Sequence, residues 1–145
     1  MPIPQKTPEE THTLLSQGYR YIDVRTEHEF LNGHPAGAVN IPIAVPDPAT
    51  GQMTINPDFV PVVEAHFPKD AKIVCGCQAG PRSQRAAEIL AQAGYQTVVN
   101  MQGGFGGARD QMGNIVTPGW SESGLPVCKD CGPENSYAGL RGAVK

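Results

Sequence analysis

The sequence predicts an α/β domain, with a mostly parallel central sheet and helices on both faces. Three observations predict it. Strand-like and helix-like segments alternate along most of the chain with short connections, the pattern of repeated strand–helix units. The segment AKIVCG (71–76) is nearly continuous in apolar residues, as a strand buried on both faces of a parallel sheet must be. At 145 residues the chain holds one compact domain with a real core and has little room for a second.

The elements follow in order. TPEETHTLLSQG (7–18) reads as a helix: Thr7 is its N-cap, Pro8 the first helical residue, Glu10 closes a capping box and Gly18 ends it. YRYIDV (19–24) is a short strand with Tyr21, Ile22 and Val24 as core candidates. TEHEFLNG (26–33) repeats the capping logic, with Thr26 as cap, Glu29 reaching back and Gly33 as stop. AVNIPIAV (38–45) is a further strand, and PDPATGQMTINP (46–57) is a turn-rich loop. A helix starts at Asn56 and Pro57, its first turn made irregular by Pro61. RSQRAAEILAQAG (82–94) is the clearest helix, with Ala86, Ala87, Ile89, Leu90 and Ala93 along one side and Gly94 at its end. YQTVVNM (95–101) is a strand, and GGFGGARDQMG (103–113) a Gly-rich turn entering a short helix. Residues 128–145 show little apolar periodicity and read as an extended or loosely attached tail.

Composition excludes several functions. The formal charge is −3 and the 11 Lys and Arg residues are scattered, so no basic field invites nucleic acid or an anionic membrane. No apolar stretch approaches the roughly 18 residues that span a bilayer, and MPIPQKTPEE lacks an apolar leader core; a cytoplasmic location is the default expectation.

The chemistry gathers in KIVCGCQAGPRSQRAAEIL (72–90). Ligands of open α/β sheets bind beyond the carboxyl ends of the strands, and this loop lies there. Its amides and the following helix N-terminus make an anion cradle with Cys77 at the base. Such surroundings favour a thiolate, and Arg82 adds a fixed charge that holds an oxyanion. Cys75 sits inside the strand among apolar neighbours, where a thiol stays protonated, so Cys77 is the expected nucleophile. Phosphate-handling cysteine enzymes need a longer loop than the four residues between Cys77 and Arg82, and the six after Cys75 overshoot it.

These residues resemble a known family, the single-domain rhodaneses or sulfurtransferases. CQAGPRS (77–83) is similar to their C-x4-R loop. YIDVRTEHEFLNGHPAGAVNIP (21–42) resembles the family's D-V-R, E-F, G-H and G-A-x-N-I-P block, and GGF with GWSESGLP (119–126) its closing motif. The resemblance covers about residues 7 to 127, which sets out a rhodanese-like domain over 1–127 and a tail over 128–145. It implies sulfur transfer through a Cys77 persulfide, from thiosulfate or another sulfane donor to cyanide or a thiol. Gln78, Ala79, Gly80, Pro81 and Arg82 would bind the substrate, chiefly through loop amides, although Pro81 supplies none. No metal or organic cofactor is implied. The partners are a small-molecule sulfur donor and acceptor, with a protein sulfur acceptor as a further one. A sulfur-carrier module with little turnover of its own is the alternative.

Gln78 and Ala79 are neutral where some thiosulfate-preferring members carry cations, and ARDQMGNIVTPG (108–119) reads as an insertion. Asp23 and Arg25 are expected to tie the DVR corner together, and His34 to anchor a turn. His12, His28 and His66 are expected on solvated helix faces, and Arg85 at the pocket mouth or in solvent. The CKDC pair, Cys128 and Cys131, admits a redox dithiol, half a zinc site, a sulfur relay for Cys77 or two exposed thiols.

Overall fold

The computed structural model describes residues 3–78, 81–128, 136, 137 and 140. Its elements run β1 (Gln5–Lys6), α1 (Pro8–Leu15), β2 (Arg20–Asp23), α2 (Glu27–Leu31), β3 (His34–Pro35), β4 (Val39–Asn40), β5 (Ala44–Pro46), β6 (Met53–Ile55), α3 (Phe59–His66), β7 (Lys72–Gly76), α4 (Pro81–Gln92), β8 (Thr97–Met101), β9 (Ala108–Arg109), β10 (Ile115–Thr117), a 3₁₀ turn (Ser121–Ser123) and β11 (Val127–Cys128).

Both expected capping boxes form. Thr7 Oγ1 accepts from Glu10 N at 3.1 Å while Thr7 N donates to Glu10 Oε1 at 2.9 Å, and Thr26 and Glu29 make the same exchange at the head of α2. α3 begins at Phe59, so Pro61 falls in its first turn, where an absent N–H leaves no intrahelical bond unmade.

The central sheet has five strands in the order β1-β8-β7-β2-β4, and every neighbouring pair is parallel. β7, the apolar strand, is in the middle. Side-chain alternation along the strands divides the core between two faces. Ile22, Ile73 and Cys75 pack with Val62 and Val63 of α3 and with Ala86, Ala87 and Leu90 of α4. Tyr21, Val74, Val99 and Met101 pack with Phe30 of α2, Leu14 of α1 and Trp120. The sheet therefore carries helices on both faces, and at its carboxyl end the connections after β2 and β8 meet the loop that follows β7.

Three expectations change. Residues 46–57 contain strand residues: β5 and β6 pair antiparallel around a turn in which Gly51 N donates to Asp47 O at 2.7 Å. Much of this hairpin is exposed, so it has no alternating apolar pattern to betray it. The Gly-rich stretch enters a second hairpin, β9–β10, rather than a helix; Asp110 Oδ1 accepts from Met112 N and Asn114 N, both at 2.9 Å, and closes the turn. Beyond β11, Tyr137 and Leu140 are buried in the larger core rather than loosely attached. Asn56 Nδ2 donates to Tyr137 Oη at 3.0 Å, and His66 Nε2 donates to Leu140 O at 2.8 Å.

Candidate active site at the end of strand β7

β7 delivers the chain through Gly76, where a side chain would collide with the Tyr21 hydroxyl, and places Cys77 next. Cys77 is 1% exposed. Ser83, in the first turn of α4, donates to Cys77 Sγ at 3.4 Å; the same hydroxyl lies 2.5 Å from Asn100 Oδ1. Asn100 Nδ2 in turn donates to Gln5 Oε1 at 2.8 Å. Asn100 stands beside Cys75 in the sheet register, so β8 presents its amide to the floor of the loop.

The GGFGG segment braces the other side. Phe105 N donates to Cys77 O at 2.7 Å and Gly106 N to Gln78 O at 3.0 Å. Gly104 must be glycine: its φ is +61°, and a Cβ there would lie 2.3 Å from Cys77 O. Pinning the Cys77 carbonyl toward this segment turns the Gln78 N–H of the same trans peptide away from it.

Two guanidinium groups flank the loop, each with its own carboxylate. Arg82 reaches across to α2, donating from Nη1 to Glu29 Oε1 at 2.8 Å and from Nη2 to Glu29 Oε2 at 3.0 Å. The Arg82 hydrogen bond, opposed by burial, brings the Glu29 carboxyl from its ordinary 4.5 down to about 2. Arg25 is buried. It binds Asp23 through Nε at 2.9 Å and Nη2 at 2.7 Å, the Gly33 carbonyl at 2.6 Å and Gln78 Oε1 at 3.1 Å. Its guanidinium also lies 4.7 Å from the Phe105 ring centroid. Asn40 Nδ2 donates to the carbonyls of Asp23 and Arg25, both at 3.0 Å, and holds this corner.

Cys77, Gln78 and Arg82 thus come together. Of the other residues expected to bind substrate, Ala79 and Gly80 lie outside the described residues, and Pro81 opens α4. Cys75 is wholly buried, and burial, reinforced by the neighbouring Cys77, pushes its thiol far above the ordinary range. Asp23 and Arg25 do form the expected corner, and Arg25 also grips the loop through Gln78. His34 anchors its turn: Nδ1 donates to Phe30 O at 2.8 Å and the ring stacks on Phe30 at 3.6 Å. His12 and His66 are not simply solvated, since His12 meets the edge of Trp120 at 5.8 Å and His66 carries the bond to Leu140. Arg85 is exposed on α4 and lines, with Ile3, Tyr19 and Tyr95, a groove of about 1000 Å³ that contains neither Cys77 nor Arg82. The reactive groups converge at the loop and not in this groove.

The sequence marks Glu29 only as a capping residue and singles out neither Ser83 nor Asn100. A signal for Ser83 existed, since it follows the loop arginine at the head of a helix. None existed for the Glu29–Arg82 pair, 53 residues apart. Cys128 is disulfide-bonded and therefore not one of two exposed thiols; Cys131 lies outside the described residues. Among the described residues no three His, Cys, Asp or Glu side chains gather as a metal site.

Comparison with known proteins bears on the family and the fold. The model of the rhodanese-like domain matches residues 7–110. "Thiosulfate sulfurtransferase 16, chloroplastic" of Arabidopsis thaliana is 38% identical over 116 residues, covering 80% of this chain and 85% of the relative. "Rhodanese-like domain-containing protein 15, chloroplastic", from the same plant, is 36% identical over 126 residues, 86% of this chain but 62% of the relative. Among solved structures, Rv0390 from M. tuberculosis superposes with a TM-score of 0.73 at 28% identity, covering 89% of this chain and 99% of that one. Fold, loop and relatives agree: the chain belongs to the rhodanese-like domain family.

Proposed function

We propose that the protein is a sulfurtransferase that carries sulfane sulfur on Cys77. The observation that carries this reading is the position of Cys77: at the end of the middle strand, against the first turn of α4 and in contact with the Ser83 hydroxyl. In the first half-reaction the Cys77 sulfur attacks the outer sulfur of the donor. With thiosulfate, the donor's S–S bond breaks, a Cys77 persulfide forms and sulfite leaves with the bonding electron pair. In the second, cyanide or a thiolate attacks the terminal sulfur, the bond between that sulfur and Cys77 Sγ breaks with its electron pair left on Cys77, and thiocyanate or a new persulfide departs. Backbone amides of the loop from Gln78 to Arg82, except Pro81, stabilise the persulfide, and Ser83 donates to the sulfur that bears charge. No step requires a metal or an organic cofactor.

A carrier that loads Cys77 and delivers only to a partner protein is the second reading. Two relatives are chloroplast proteins by name, whereas the cytoplasm is the expectation for this sequence.

The test is peptide-mapped mass spectrometry of the reduced, desalted protein after thiosulfate or glutathione persulfide. One added sulfur on the Cys77 peptide, removed by cyanide and absent in Cys77→Ser, is expected. No gain with either donor overturns the nucleophile assignment. Loading without catalytic thiocyanate formation selects the carrier.

A further inference from the structure

We propose that Glu29 is a specificity-determining residue, which tunes the site to sulfane donors of low charge, organic persulfides, over the thiosulfate dianion. The proposal deepens the reading of Cys77 as sulfur carrier and rests on it.

Arg82 is the loop's own cation and lies within electrostatic reach of Cys77. Both of its terminal nitrogens are already committed to Glu29, at 2.8 and 3.0 Å, one to each carboxylate oxygen. The second cation, Arg25, is committed to Asp23, and its remaining bonds go to Gly33 O and Gln78 Oε1. The two arginines and two carboxylates sum to no formal charge. A bidentate pair is also slow to give up its partner, because both charge-assisted bonds must break together. Glu29 is held in turn by the Thr26 backbone N–H at 3.2 Å and hydroxyl at 3.1 Å, so it cannot swing aside without undoing the head of α2.

Thiosulfate brings two negative charges and expels sulfite with two. A free cation favours that transition state, and the charge of Arg82 is here matched by Glu29. An organic persulfide reacts differently: Cys77–S⁻ attacks RS–SH, the RS–SH sulfur–sulfur bond breaks, the Cys77–S–SH bond forms and the electron pair leaves on RS⁻. The leaving sulfur takes one negative charge, and hydrogen-bond donors suffice for it when R carries none.

The experiment measures kcat/KM for thiosulfate and for the persulfide of 2-mercaptoethanol, whose carbon skeleton carries no charge, with cyanide as common acceptor, across a range of salt. In the wild type the persulfide is expected to exceed thiosulfate by about ten-fold or more. Glu29→Gln frees Arg82 and is expected to raise thiosulfate kcat/KM about ten-fold, through KM, while persulfide changes little. Salt then depresses the thiosulfate reaction of the variant, because a free cation is screened, but not that of the wild type. Glu29→Asp, which keeps the charge, is expected to retain the wild-type preference.

Equal wild-type use of both donors overturns the proposal without any variant. So does an equal loss with both donors in Glu29→Gln, which marks Glu29 as a support for Arg82 only. Failure of both donors to load Cys77 would instead overturn the underlying sulfurtransferase reading.

Discussion

Ser83 has one hydroxyl proton and two acceptors within reach, Cys77 Sγ at 3.4 Å and Asn100 Oδ1 at 2.5 Å. One proton serves one of them at a time, so negative charge developing on the sulfur draws the hydroxyl donation toward it. Ser83→Ala is expected to slow single-turnover loading of Cys77 about ten-fold, since a hydrogen bond to a charged group is worth about 1.5–3 kcal/mol. It also takes a partner from a buried amide, so urea unfolding is expected to show a loss of about 1–2 kcal/mol. Glu29 gives a pH signature of its own. Its carboxyl titrates near 4.5 unfolded and near 2 folded, so the unfolded chain binds the proton more readily. The stabilisation is complete above 4.5 and is lost as pH falls through 2. Urea midpoints measured across that window are expected to drop less in Glu29→Gln than in the wild type.

At the scale of elements, local chemistry and tertiary packing separate cleanly. The α1 capping box involves residues three apart and is exposed, so Thr7→Ala is expected to lower stability by about 1 kcal/mol and leave sulfur transfer unchanged. Gly104→Ala acts in the opposite way. It forces a Cβ against the Cys77 carbonyl at a left-handed backbone position and displaces the segment whose amides pin Cys77 and Gln78. Its melting temperature and its activity are both expected to fall, with activity falling further than in Thr7→Ala at matched stability.

For the molecule as a whole, the last described residues matter to the core. Tyr137 is buried in the same cluster as Ile22, Phe59 and Leu90, and it accepts a hydrogen bond from Asn56 at the entry to α3. Tyr137→Ala is expected to destabilise the domain by about 3 kcal/mol in chemical denaturation, the scale of an aromatic-to-alanine change in a core. A tail that contributed nothing to packing would leave the urea midpoint where it is. Cys128, which is disulfide-bonded, closes β11 opposite His34, next to the Arg25–Gly33 corner.

What could be read without coordinates was local in sequence. Thr7 with Glu10 and Thr26 with Glu29 are hydrogen-bonding partners within one helical turn, and the apolar run of β7 carries its own burial in its composition. Because a strand end, a turn and a helix start are likewise adjacent along the chain, Cys77 could be singled out over Cys75. The sequence by itself therefore determined the α/β class, the capped helices, the place of the reactive loop and the family it resembles. Tertiary structure alone decided which charges meet. Glu29 finds Arg82, Arg25 finds Gln78 and Phe105 finds Cys77 only because the parallel strands β2, β7 and β8 bring the loops that follow them to one end of the sheet. The buried Tyr137 stayed hidden for a related reason, since its partners Asn56 and Phe59 lie far along the chain, whereas the hairpins β5–β6 and β9–β10 are local but largely exposed and carry no alternating apolar pattern.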